Sequence, residues 1–140
     1  MAAGIIKYHL SLFILLVLLF NFVQAKEKYR IKILNDINIP INLFVKVHCA
    51  SKDDELGTHL LYYTQTFTWK FRANMLGTTR FFCHFWWNGK QNAFDVFFNN
   101  WSSICDNPAG NLCEWVVRGD GFYFTNVESF LPKDLVKKYP

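Results

Sequence analysis

Cys49, Cys83, Cys105 and Cys113 carry the most chemical potential in this sequence, and two of them adjoin histidines, as His48-Cys49 and Cys83-His84. A cysteine beside a histidine can act as a nucleophile when its thiol is free and activated. Cysteine and histidine can also hold zinc, given paired ligands at short spacing. No two cysteines stand two to four residues apart here. Adjacent residues on a strand point to opposite faces, so neither dipeptide converges on one ion. An even cysteine count in a short exported chain reads instead as two disulfides, with three possible pairings. Disulfides consume the thiols, so no catalytic, metal or cofactor site is expected.

Asp53, Asp54 and Glu55 form a second reactive-looking group, directly after Lys52. Glycosidase carboxylates must flank the substrate about 5–9.5 Å apart, which three consecutive acids in a turn do not provide. A calcium loop would need alternating acids before a glycine, and none is present. The run reads as a solvated turn closed by Gly57. In its sharper form, Lys52, Asp53, Asp54 and Glu55 make a recognition loop on a rigid frame, where specificity tends to reside. His48 and His84 fall at outward positions, where a histidine can answer to pH, although packing under a neighbouring loop is the simpler expectation. Phe82, Trp86 and Phe97 also fall outward, as an exposed aromatic patch or as a face covered by loops. Asn100-Trp101-Ser102 is a sequon, which makes Asn100 a candidate glycosylation site.

These residues must be positioned by strands. Tyr29, Ile31 and Ile33 alternate with basic residues, and Leu43, Val45, Val47 and Cys49 with Phe44, Lys46 and His48. Phe67, Trp69 and Phe71 give the cleanest two-residue period. Further alternating sets are Phe81, Cys83, Phe85 and Trp87; then Phe94, Val96 and Phe98; and then Cys113, Trp115 and Val117. Such patterns place one side chain in two on a common buried face. Asn35-Asp36 and Pro40, Gly57, Asn74 with Gly77, Asn88-Gly89, Asn107-Pro108 with Gly110, and Gly119-Asp120-Gly121 supply turn chemistry between them. Asn88-Gly89 suits a tight hairpin joining the Phe81 and Phe94 strands. The predicted fold is all-β: a small antiparallel β-sandwich, immunoglobulin-like in architecture, stapled by two disulfides.

The N-terminus reads differently. Lys7 precedes an apolar run from Leu10 to Phe20, and Val23-Gln24-Ala25 offers a small-residue cleavage site. The run is about half the roughly 20 residues of a membrane span, so residues 1–25 are expected to be a signal peptide and the product secreted. Residues 26–126 then form the sandwich, and 127–140 a tail with either a short helical face or a frayed end. Losing Lys7 takes 15 basic side chains to 14 against 11 acidic ones, a charge of +3. So mild and scattered an excess suits solubility and anionic surfaces such as an acidic wall or lipid headgroups; no nucleic-acid partner and no stable membrane insertion are expected.

Disulfide pairing follows from the expected hairpin. The chain leaving Phe98 runs back past the start of the Phe81 strand, so Cys105 can fold over to Cys83. That leaves Cys49 with Cys113.

Several blocks together resemble the plant self-incompatibility S-protein family, the S-protein homologues. They are VHCASKDDELGTH at 47–59, FTWKF at 67–71, NMLGTTRFFCHF at 74–85, FDVFF at 94–98, Cys105, CEW at 113–115 and DGFYF at 120–124. The resemblance runs from Tyr29 to Phe124, with Glu55 standing where an aspartate is common. It implies a secreted, disulfide-bonded sandwich acting as a ligand rather than an enzyme. The expected partner is a cell-surface receptor or another extracellular protein, met by a monomer through its inter-strand loops. A secreted defence or antimicrobial effector is the alternative.

Overall fold

A computed structural model describes residues 2–24, 28–38, 43–74, 76–98, 102–127 and 136–139. Helix α1 spans Ala2–Gln24 and lies outside the β-domain. Its window from Ala2 to Phe20 has a mean hydropathy of 2.1 and buries nothing against the rest of the chain. By length and composition alone this helix could cross a membrane, a test that N-terminal signal sequences also pass.

The strands are β1 (Lys28–Asn35), β2 (Val45–Ala50), β3 (Glu55–Leu61), β4 (Thr66–Arg72), β5 (Arg80–Trp87), β6 (Lys90–Phe98), β7 (Leu112–Arg118), β8 (Gly121–Thr125) and β9 (Val136–Tyr139). A four-residue helix α2 (Ser102–Cys105) precedes β7. One sheet has the order β4-β1-β7-β8-β9, and the other β3-β2-β5-β6. The two-layer all-β expectation is met. The strand order differs from the A-B-E-D and C-F-G sheets of an immunoglobulin constant domain. The ladder is also not wholly antiparallel, because β1 and β7 run parallel, with Ile31 opposite Cys113 and Ile33 opposite Trp115. A parallel neighbour needs a long connection, which the intervening seventy-odd residues of the other strands supply.

Alternation explains most of the core. Tyr29, Ile31 and Ile33 of β1 and Val45, Val47 and Cys49 of β2 are buried, each separated by a more exposed residue. The aromatic filling falls into two groups. Phe85, Phe94, Phe122, Trp115 and Phe124 pack with ring centroids 4.8–5.2 Å apart. Tyr29, Phe71, Phe81 and Phe97 form the second, at 4.5–5.8 Å. Such pairs contribute about 0.5–1.5 kcal/mol each beyond their burial. The Trp115 Nε1–H donates to the Val96 carbonyl at 2.9 Å, joining β7 of one sheet to β6 of the other.

Two elements depart from expectation. Residues 136–139, expected to be helical or frayed, add an antiparallel strand to β8. The charged turn is expected to close at Gly57, yet β3 begins at Glu55 and runs through that position. There Leu56 and Gly57 together oppose Cys49, a bulge that Gly57 permits with φ of 77°.

Candidate recognition surface

The cysteines are framework, but their pairing differs from the one expected. Cys49 joins Cys83, and Cys105 joins Cys113. The expectation assumed that only β6 flanks β5. In the sheet β2 lies on the other side of β5, and the register puts Cys49 directly opposite Cys83 with both side chains inward. Cys105 at the end of α2 then meets Cys113 at the start of β7, eight residues on. No described cysteine is free.

With these staples behind them, the β2–β3 turn and the β4–β5 loop form the two walls of a cleft of about 930 Å³. Lys52, Asp53 and Asp54 line one wall and are exposed. The turn is closed by its own backbone, with Ser51 N–H donating to the Asp54 carbonyl at 2.8 Å and Asp54 N–H to the Ser51 hydroxyl at 3.0 Å. Glu55 has a different task from its neighbours. Its carboxylate accepts from Gly57 N–H at 3.0 Å and from His48 Nε2 at 2.5 Å. The Gly57 amide first, and His48 second, hold this carboxyl below its ordinary range. Thus Lys52, Asp53 and Asp54 are presented, while Glu55 pins the turn to the sheet.

The opposite wall is organised by Asn74. Its Oδ1 accepts from Thr78 N–H at 3.0 Å, its Nδ2 donates to Thr78 Oγ1 at 2.8 Å, and its N–H donates to Thr79 Oγ1 at 2.8 Å. Held in this way, the loop projects Leu76, which is 87% exposed. The floor is Phe81 and Phe82, with Arg72 and Arg80 at the sides. Arg80 is tied to Asp95 at 2.7 Å.

The cleft opens onto the outer face of the β3-β2-β5-β6 sheet. Phe82 is 38% exposed there, and Phe44, Leu60 and Tyr62 are exposed as well. Phe44 meets Tyr62 edge-on at 5.9 Å. Beside them a hollow of about 300 Å³ is lined by Leu43, Phe44, Lys46, Trp86 and Trp87. Trp86 itself is half-buried: the His84 ring stacks on it at 3.7 Å, and Lys46 Nζ lies 5.0 Å over it. With both groups upon it, Trp86 is not a bare platform for a sugar ring.

Of the three aromatics expected outward, Phe82 and Trp86 are on this face, and Phe97 is not. Phe97 is fully buried. The reason is a bulge in β6: Phe81 pairs with Phe97 but Phe82 with Asp95, so Val96 is an extra residue. A bulge places two successive side chains on one side, and Val96 and Phe97 both point into the core. Phe44, Leu60 and Tyr62 take the missing place. Leu60 and Tyr62 lie in and just after β3, whose stretch shows only a partial apolar alternation. His48 and His84 are also closer than sequence separation suggests, directly opposite each other across β2 and β5. Each has a partner, Glu55 for His48 and Gln91 at 2.9 Å for His84. Asn100 lies outside the described residues. Among the described residues, no group of three or more His, Cys, Asp or Glu is placed to hold a metal ion.

The frame and surface define a class: a small all-β sandwich, stapled twice, with a loop-walled cleft running into an aromatic face. Residues 30–138 match the family described as plant self-incompatibility protein S1, and the chain belongs to that family. It is 36% identical over 76 residues to S-protein homolog 5 of Arabidopsis thaliana, covering 54% of this chain and 56% of that protein. It is 38% identical over 85 residues to S-protein homolog 29 of the same plant, covering 59% of this chain and 58% of that one. The chain thus spans little more than half the length of these relatives. S-protein homolog 19 is matched more fully, at 30% identity over 122 residues, 85% of this chain and 86% of the relative. The fold is similar to a solved structure of an SPH (Self-Incompatibility Protein Homologue) protein, one of a family titled small, highly stable, secreted proteins from plants. That likeness has a TM-score of 0.57 at 21% identity, over 83% of this chain and 97% of that one.

Proposed function

We propose that this protein is a secreted recognition ligand that binds an extracellular or cell-surface protein at the loop-walled end of the sandwich, without turnover. The carrying observation is the cleft of about 930 Å³ in which an acidic turn faces an exposed leucine across an aromatic floor. Opposed loops on a disulfide-held frame lose little conformational freedom on binding, which favours affinity from a modest surface. An exposed apolar anchor flanked by charge matches the usual division of a contact into a buried centre and a polar rim. Family membership and the apolar N-terminal helix support export, with α1 acting as the signal sequence.

The test is binding of the labelled, disulfide-bonded domain to plant cells of several tissues. L76A and D53A/D54A are expected to weaken saturable binding at least tenfold while leaving the melting temperature within about 2 °C, since surface changes usually cost under 0.5 kcal/mol. Binding that survives both variants refutes the cleft. Killing of microbes without saturable plant-cell binding would instead make the protein a defence effector. Turnover of a wall polymer that disappears in D53A/D54A would make it an enzyme.

A further inference from the structure

The other outer face of the sandwich has a different chemistry. On β1 the outward side chains include Lys28, Arg30 and Lys32, and on β4 they are Thr66, Thr68, Lys70 and Arg72. The antiparallel register sets Lys28 opposite Arg72 and Arg30 opposite Lys70. Like charges directly opposite each other on one face destabilise a sheet. Two such pairs side by side gather four cationic side chains on this face. Lys28, Lys70 and Arg72 are exposed, and Arg30 is half-buried. Lys32 is set apart from the ladder, because its ammonium lies 3.5 Å from the buried carboxylate of Glu114 on β7. Arg30 and Arg72 also make contacts of their own within the chain.

We propose that this face binds an acidic polysaccharide bearing a carboxylate on each sugar, and that it holds the protein on an anionic polymer while the aromatic face of the other sheet points away. The cations form a grid, about 7 Å apart along each strand and about 5 Å between strands. A linear polyuronate presents negative charge at a regular short repeat, and a pleated grid can meet several carboxylates at once. Thr68 and Thr66 continue the β4 row beyond Lys70 and Arg72, and both are exposed, adding hydroxyls that can donate to ring and carboxylate oxygens. β4 is the edge strand of its sheet, so a long polymer can lie along the row without meeting another strand. Among the described residues, none of the exposed large apolar side chains belongs to β1 or β4. A face with cations and hydroxyls but no apolar anchor fits a hydrated polymer better than a bilayer, whose peripheral ligands usually insert such an anchor.

Arg72 lines the cleft as well as this face, so the variants leave Arg72 unchanged and the outcome does not depend on what the cleft recognises. The test uses the disulfide-bonded domain and de-esterified polygalacturonate, with fully methyl-esterified pectin and phosphatidylserine vesicles as comparisons. Binding to polygalacturonate at 50 mM NaCl is expected to weaken steeply toward 500 mM, as screening shortens the reach of surface charges to a few ångströms. R30Q/K70Q should lose about tenfold or more in affinity. K90Q/K138Q removes the same charge elsewhere and should bind as the wild type does. If R30Q/K70Q does not fold, T68E, which places a carboxylate in the row, should produce the same loss. Equal losses in the two double variants would reduce the effect to bulk charge and overturn the proposal. So would failure of the wild type to bind at 50 mM NaCl, or equally tight binding to methyl-esterified pectin. Stronger binding to the vesicles through the same residues would also overturn it, assigning the face to lipid.

Discussion

The two disulfides should differ in worth, and the difference follows from chain length. Cys49–Cys83 closes a loop with a sequence separation of 34, and Cys105–Cys113 one of 8. In the chain-entropy model, these constrain the unfolded chain by about 4 and about 2.5 kcal/mol respectively. The folded state loses little register when the first is cut, because β2 and β5 remain joined along five consecutive residue pairs from Lys46–Trp86 to Ala50–Phe82. Its loss therefore acts mainly on the unfolded ensemble. C49A/C83A is expected to lower the urea-unfolding free energy by about 4 kcal/mol, and C105A/C113A by about 2.5. The urea m-value should rise more for C49A/C83A, since freeing the longer loop exposes more surface on unfolding. Measurement at 25 °C with linear extrapolation resolves a gap of about 1.5 kcal/mol. If C105A/C113A proves the more damaging pair, chain entropy does not govern these staples. Fragment mapping of the unreduced protein checks the connectivity itself, and a Cys49–Cys113 fragment would refute it.

Phe97→Ala should cost about 3–5 kcal/mol as a buried ring lost, whereas Phe82→Ala should cost under about 1 kcal/mol and weaken partner binding; thermal melts of both check the bulge in β6. Glu55→Gln should make stability less sensitive to acid. The Glu55 carboxyl is held below its ordinary value of 4.5 in the folded chain, so its contribution is full above that pH and is lost as pH falls through the folded value. Melting curves from pH 7 to 3 should therefore converge for wild type and E55Q at the acid end, and a constant gap would show that the carboxylate does not pin the turn. Gly57→Ala should destabilise by about 1–2 kcal/mol, because φ of 77° is left-handed, and the loss should appear in denaturant melts. Trp115→Phe should cost about 1–3 kcal/mol by leaving the buried Val96 carbonyl without its donor, also read by denaturant.

Alternation made the cores of β1, β2, β4 and β5 legible, because each has one buried face and a strict two-residue period. It failed where the period breaks. In β6 the extra Val96 changes the phase, so Phe97 turns inward against the pattern. In β7 the pattern picks out Cys113, Trp115 and Val117 correctly, but Leu112, Glu114 and Val116 are buried as well, a second buried face that alternation does not reveal. β3 was hidden because its charged start and bulged Gly57 look like a turn, and its apolar positions lie on both faces. The number of disulfides was legible and their pairing was not, for a topological reason: local hairpins can be inferred from Asn88-Gly89, but nothing local states that β2 joins β5. The site was partly legible. Lys52 to Asp54, Phe82 and Trp86 were named, whereas Phe44, Leu60 and Tyr62 became a surface only once the sheet order set them together.

The same cause explains why the charge looked scattered. Lys28 and Arg30 are separated from Lys70 and Arg72 by some forty residues, and only the β1–β4 ladder brings them within side-chain reach. Between them in sequence lie β2 and β3, which the chain sends to the other sheet to carry Phe44, Leu60 and Tyr62. The crossing thus sorts the surface by chemistry, cations behind one sheet and aromatics behind the other. Apart from β7, the alternating strands of this sandwich bury one face only, so the exposed outer surface must remain compatible with water or find a partner. Cations satisfy the first condition without help. A row of half-exposed rings satisfies it poorly, and that asymmetry makes the aromatic face, with the cleft at its end, the side on which a protein partner gains most by docking.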